Sequence, residues 1–252
     1  MEHLTVERDG PVMVMTMTRG KANALNPAMV GELGRAVADA GRDPGVRALV
    51  VASASQKLFS GGFDLGEVFG YDAERMTGFF GEFLDLCGAI RGLPKPVVAA
   101  VSGHAYAGGA LLALACDFRV MAQGAFGFAV NEVNLGLVLP RSVMHWVVSA
   151  LGPASRDVLL AGQPINSERA LSIGLATSVA PPDLVRPRAV ELARGLADKP
   201  PLAFAATKHA VNEATGGAGY DRAEAVREFM ASWNGAESAA RRAELASSMK
   251  KA

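Results

Sequence analysis

The spacing of apolar and polar positions changes several times along the 252-residue chain. Residues 4–7 and 12–18 are short strand-like runs separated by Asp9-Gly10, a dipeptide that favours a hairpin turn. The period then lengthens. Met29, Val30, Leu33, Val37 and Ala40 recur at helical spacing, which predicts a helix with Asn26 as its cap, Pro27 in its first turn and Gly41 at its end. Residues 46–52 (VRALVVA) form an apolar run suited to a buried strand. Met76, Phe79, Phe80, Phe83, Leu84, Cys87 and Ile90 make the stripe of a long helix, which LPKP breaks. These phenylalanines, with Phe69, either fill the core or shorten a pocket.

Residues 95–120 read KPVVAAVSGHAYAGGALLALACDFRV. A strand-like run leads into a small-residue loop, SGHAYAGG, then a helix-like run, ALLALA, and a second strand-like run from Asp117. Short strands are expected over 118–121 and 125–128, followed by a loop, NEVNLGLVLP, with one acid, Glu132. Helical patterns cover 141–151, 154–160 and 167–173, a strand returns at 175–179, and a helix runs over 184–198. Lys199-Pro200-Pro201 is the clearest boundary. Beyond it, 202–214 and the stripe Val226, Phe229, Met230 and Trp233 define a helical tail whose apolar side needs a covering surface. The reading is an α/β fold with an open sheet over residues 1–198 and a helical region over 199–252.

Composition narrows the function. Half the residues are hydrophobic, enough for one large core. Lys plus Arg, at 25, equals Asp plus Glu, so there is no field for nucleic acid or an anionic membrane. The charged start, MEHLTVERDG, is unlike a signal peptide. The one candidate membrane span, 96–116, is interrupted by Ser102, His104 and glycines. Cys87 and Cys116 are far apart with no His cluster nearby, which argues against a metal site or disulfide and for a cytoplasmic location. No internal sequence repeat is present.

Nucleotide-binding and hydrolase motifs fail. Gly103 to Gly108 has P-loop glycine spacing, but Gly109-Ala110 stands where Lys-Ser/Thr is needed, and no G-x-S-x-G occurs. Two Gly-rich turns remain, FSGGF and AYAGGA, together with Glu132. Backbone N–H groups from two such turns suit one carbonyl oxygen. A carboxylate among Val130, Val133 and Leu135 would have a raised pKa and suit proton abstraction beside a carbonyl. On these residues alone, the turns serve equally as tight packing turns, and Glu132 as a solvated loop acid.

The order and spacing of NALN (23–26), FSGGFDL (59–65), the 95–119 stretch, FAVNEVNLGL (128–137) and PLAFAATKHAV (201–211) resemble the enoyl-CoA hydratase/isomerase (crotonase) superfamily. The resemblance covers nearly the whole chain. It implies a spiral of ββα units, a C-terminal helical region that packs on a trimer (or a dimer of trimers), and acyl-CoA thioester substrates. It implies no metal or redox cofactor, coenzyme A being part of the substrate. It gives the oxyanion donors as the N–H groups of Phe63 and Gly108. Ala107 replaces the first glycine of the family's triplet, tolerable with φ below zero. The family's hydratases use two acids. One matches Glu132; at the other position stands Leu111, and the surrounding pattern is similar to Δ3,Δ2-enoyl-CoA isomerases, in which one acid moves a proton from C2 to C4. Lys21, Ala22, Ala24, Ser60, Gly61, Gly62, Asp64 and Leu65 fall in segments that hold substrate in the family. Lys208 resembles a lysine near the CoA phosphates, or is a solvated helix charge. The alternatives are a weak hydratase, another crotonase-type lyase, hydrolase or decarboxylase, and a non-catalytic acyl-CoA-binding homologue.

Overall fold

Residues 1–216 and 221–249 are described in this computed structural model. Residues 217–220 and 250–252 of the predicted helical region lie outside them. Strands β1 (Leu4–Asp9) and β2 (Val12–Met17) pair antiparallel with Asp9 opposite Val12. The turn is therefore Gly10-Pro11 rather than Asp9-Gly10, and Gly10 supplies a φ of +59°. β2 starts a parallel array through β3 (Ala48–Ser53), β5 (Val97–Val101), β7 (Phe118–Ala122) and β9 (Ser178–Ala180). Three short strands, β4 (Leu58–Ser60), β6 (His104–Tyr106) and β8 (Phe128–Ala129), form a second parallel sheet in the order β4-β6-β8.

This arrangement holds a repeat that the sequence hides. β3, β5 and β7 each lie in the large sheet and each is followed by a strand of the small one. The chain thus steps along both sheets together, as the ββα spiral implied. Local pattern gave β4 and β6 as loops. Each has only three residues in a Gly-rich run, and pairing with the neighbouring turn of the spiral makes them strands. Of the strand expected over 125–128 only Phe128 falls in β8, where Phe128 and Ala129 pair with β6.

The helices are α1 (Pro27–Arg42), α2 (Leu65–Val68), α3 (Ala73–Gly92), α4 (Gly108–Ala115), α5 (Arg141–Leu151), α6 (Ser155–Ala161), α7 (Ser167–Ser172), α8 (Val185–Ala197), α9 (Pro201–Ala214), α10 (Arg222–Trp233) and α11 (Ala236–Met249). α1 begins as expected: Asn26 Oδ1 accepts from Met29 N at 3.0 Å, and the five apolar positions of its stripe are buried. Alternate residues of the large sheet point to different cores. Met15, Leu49, Val51, Val97 and Ala99 join α1 and α3, whereas Val14, Val50, Val98 and Val120 pack on α8. Burial on both faces explains the unbroken apolar runs.

The tail divides in two. α10 packs on α3 and α5 of its own chain, and α11 packs on the 3-10 turn Glu132–Leu135 and on α10. α9 is largely exposed, with Leu202 at 85% and Val211 at 55%. Among the described residues no helix is long and apolar enough to cross a membrane; the 96–116 stretch is β5, β6 and α4.

Candidate active site

The site begins with a backbone accident of registry. Leu25 and Phe63 form an isolated parallel bridge. Leu25 N donates to Gly62 O at 2.7 Å, and Leu25 O accepts from Asp64 N at 2.8 Å. In a parallel bridge the central residue turns its own N–H away from the partner. The Phe63 N–H accordingly has no acceptor among the described residues. Gly61 N donates to Ala22 O at 2.9 Å, and Ser60 Oγ donates to Asn23 O at 2.8 Å, so the 19–25 loop holds this turn from behind. Arg19 adds a clamp, pairing with Asp64 at 2.6 Å and Glu67 at 2.8 Å.

The second N–H belongs to Gly108, the first residue of α4, where a helix has no internal acceptor to offer. No side chain caps this end. The two turns touch so closely that side chains are excluded: a Cβ on Gly62 would lie 2.9 Å from Tyr106 O, and one on Gly109 would lie 2.4 Å from Ser60 O. Ala107 does not have the negative φ expected. It sits at φ +46°, ψ −123°, a region that favours glycine, because the chain must reverse there between β6 and α4.

Glu132 opens the 3-10 turn and is 7% exposed, so it is no solvated loop acid. Burial pushes its carboxyl up to about 7, opposed only by a bond from its own backbone N–H. Its Oε2 is buried without a partner. Glu132, Phe63, Gly108, Leu111, Gly61 and Leu65 line one cavity of about 260 Å³. These are the sequence-predicted residues that the fold brings together.

The others play different parts. Ser60 and Gly62 shape the loop, and Asp64 caps α2, accepting from Glu67 N at 3.3 Å. Lys21 is exposed, and Ala22 and Ala24 are half-buried behind the loop; none of these three lines the cavity. Lys208 is corrected outright. It is 8% exposed, and its Nζ donates to Ile90 O at 3.2 Å, Lys95 O at 3.1 Å and Asp117 Oδ2 at 2.8 Å. With all three ammonium donors used, it is neither a solvated charge nor free for a phosphate.

Sequence reasoning missed the far wall. Phe229, Trp233, Arg242 and Leu245 reach the cavity from α10 and α11, beside Phe80 and Phe69. The apolar stripe of α10 was visible, but its partner was not. Asn131 and Tyr106 also line the cavity. A larger cavity, about 510 Å³, lies between α3, α5 and α9 and touches none of the sequence-predicted site residues. Among the described residues no cluster of three His, Cys, Asp or Glu side chains could hold a metal.

A family model described as enoyl-CoA hydratase/isomerase matches residues 7–240. The chain belongs to this family. It is 36% identical to the carnitinyl-CoA dehydratase of Salmonella arizonae over 211 residues, covering 82% of this chain and 79% of that protein. Among solved structures, human mitochondrial Δ3-Δ2-enoyl-CoA isomerase aligns with a TM-score of 0.92 at 24% identity, covering 99% of this chain and 98% of that one. At that identity the likeness concerns the fold alone. An enoyl-CoA hydratase from Mycobacterium ulcerans aligns with a TM-score of 0.83 at 32% identity, covering 92% of this chain and 99% of its own. The crotonase-type fold and membership of an enzyme family acting on acyl-CoA thioesters follow from these matches.

Proposed function

We propose that this chain is an isomerase that moves the double bond of a 3-enoyl-CoA to the trans-2 position. The observation that carries this is Glu132, the one carboxylate among the described residues of the cavity wall, with the apolar Leu111 on the same wall. In this reading the thioester oxygen accepts from Phe63 N–H and Gly108 N–H. Glu132 takes a proton from C2, the C–H electron pair enters a dienolate whose charge rests on that oxygen, and the same carboxyl returns the proton at C4. Each oxyanion donor lowers the barrier by roughly 3–4 kcal/mol. A carboxyl with a pKa near 7 is well matched to taking and returning a proton at neutral pH. The chemistry draws on no metal or redox cofactor; coenzyme A enters with the substrate. The exposed apolar residues of α9 support assembly as a trimer or a dimer of trimers.

A 3-enoyl-CoA should gain the absorbance of the conjugated thioester on mixing with the protein, and Glu132→Gln should abolish this. Full activity in that variant would refute the assignment. Dehydration of a 3-hydroxyacyl-CoA is a second reading, supported by the dehydratase from Salmonella arizonae. Turnover of 3-hydroxyacyl-CoA faster than of 3-enoyl-CoA would favour it.

A further inference from the structure

The wall that α10 and α11 give to the cavity carries a guanidinium, that of Arg242, beside Leu245, Trp233 and Phe229. Its placement is fixed. Ser238, one helical turn earlier in α11, is fully buried, and its backbone abuts Gly136, where a Cβ would lie 3.0 Å from Ser238 N. Arg242 Nη1 donates to Ser238 Oγ and to Trp233 O, both at 2.7 Å. The guanidinium lies over the Trp233 ring, 4.1 Å from its centre.

These contacts use both hydrogens of Nη1 and one face of the group. The edge formed by Nε and Nη2 has no acceptor among the described residues. That edge is a fork able to grip a carboxylate with two parallel bonds. Among the described residues no acid meets it; Glu244, two positions on, pairs with Arg241 at 2.9 Å. Glu132, on the same cavity wall, feels burial and its own backbone N–H but no guanidinium, so the two charges stand apart. Burial alone pulls the Arg242 pKa down. A cation set beside Leu245, Phe229 and Trp233 without a counter-ion is held there at a cost that an anionic ligand would offset.

We propose that the acyl chain taken by this site ends in a carboxylate, which Arg242 grips through Nε and Nη2, so that the substrate class is the CoA thioester of an unsaturated dicarboxylic acid. The inference rests on the reading of Glu132, Phe63 N–H and Gly108 N–H as the reacting end of an acyl-CoA site. With the thioester oxygen on the two N–H groups, the chain passes Glu132 and runs along Phe80 and Phe229 to Arg242. The apolar wall covers its methylenes, and the guanidinium neutralises its end. The carboxylate takes no part in the bond rearrangement. It fixes how far the chain enters, and so places C2 and C4 beside Glu132. A chain ending in methyl leaves the cation desolvated and unpaired, and binds more weakly. Arg242 is thus a specificity-determining residue, held in place by its bonds to Trp233 O and Ser238 Oγ.

The test compares 3-enoyl-CoA chains of six, eight and ten carbons that end in methyl, in a free carboxylate or in its methyl ester. At the best-fitting length the carboxylate should give a kcat/KM at least tenfold above both others. Arg242→Met should bring the three within about threefold of one another. Equal use of the three by the wild type overturns the proposal and leaves the isomerase reading intact; this comparison decides even where the variant fails to fold. Should no 3-enoyl chain be turned over, the isomerase reading falls, and the saturated thioesters of the same lengths still test the pocket. By calorimetry the dicarboxylic thioester should bind the wild type at least tenfold tighter than its methyl-ended counterpart, and equal affinities overturn the proposal. The phosphates of CoA are the other anions within the substrate, and thioesters of pantetheine lack them. The preference for a carboxylate should persist with pantetheine. An effect of Arg242→Met that is equal for all three chain ends and vanishes with pantetheine assigns Arg242 to the phosphates and overturns the proposal.

Discussion

Phe80 of α3 and Phe229 of α10 stack face to face, with ring centroids 3.7 Å apart and planes 12° apart. The contact joins the core to the C-terminal tail at the wall of the cavity. Phe229→Ala removes a side chain that is 2% exposed and should cost about 3–5 kcal/mol. It also opens the wall, so KM for a short acyl-CoA should rise more than kcat falls. Denaturant unfolding and steady-state kinetics measure the two effects. Unchanged stability would mean that the tail does not pack here.

Burial of Glu132 ties stability to pH. Its pKa rises from 4.5 to about 7 on folding, so the folded state binds more protons between those values than the unfolded state. Stability should therefore fall as pH climbs from about 4.5 to about 7, with the full loss present above that. One pKa unit is worth about 1.4 kcal/mol, so the loss is on the order of 3 kcal/mol. Glu132→Gln should recover much of it at pH 8 and little at pH 4.5, seen as a higher melting temperature only at the higher pH.

The proposed isomerisation, with Glu132 as its base, makes the rate follow the same ionisation: kcat/KM should increase with pH along a limb centred near 7 as the carboxylate forms. A flat profile between pH 5 and 8 would argue against Glu132 as the base.

Ala107 holds a backbone conformation that costs a residue with a Cβ about 1–3 kcal/mol. Ala107→Gly removes that strain but gives the unfolded chain more freedom, worth about 0.4–1 kcal/mol. The balance should stabilise the protein by about 1 kcal/mol in urea unfolding. Destabilisation would show that the turn is unstrained.

Lys208 distinguishes structure from substrate binding. Lys208→Met leaves Asp117 without its cation in a site where the two side chains are 6% and 17% exposed, and should cost about 3–5 kcal/mol. KM for acyl-CoA in the folded variant should change little. A large rise in KM with stability retained would return Lys208 to the CoA phosphates.

Much of this protein was legible one-dimensionally. The α1 stripe with its Asn26 cap, the α3 stripe and the buried strands follow from local periodicity, because each element buries a face set by its own repeat. Glu132, Phe63, Gly108 and Leu111 were picked out by motif order, and all four line one cavity. Local pattern could not give β4 and β6, whose hydrogen bonds come from strands nearly fifty residues away. Nor could it show that Lys208 is consumed by three internal acceptors, that Ala107 must take a positive φ, or that Trp233 and Arg242 close the site from the tail. The sequence by itself determined the residue types and periodicities, and so the fold class and Glu132 as the candidate acid. Tertiary structure decided which groups are buried together, since desolvation, pairing and the freedom of a backbone N–H depend on neighbours distant in the chain.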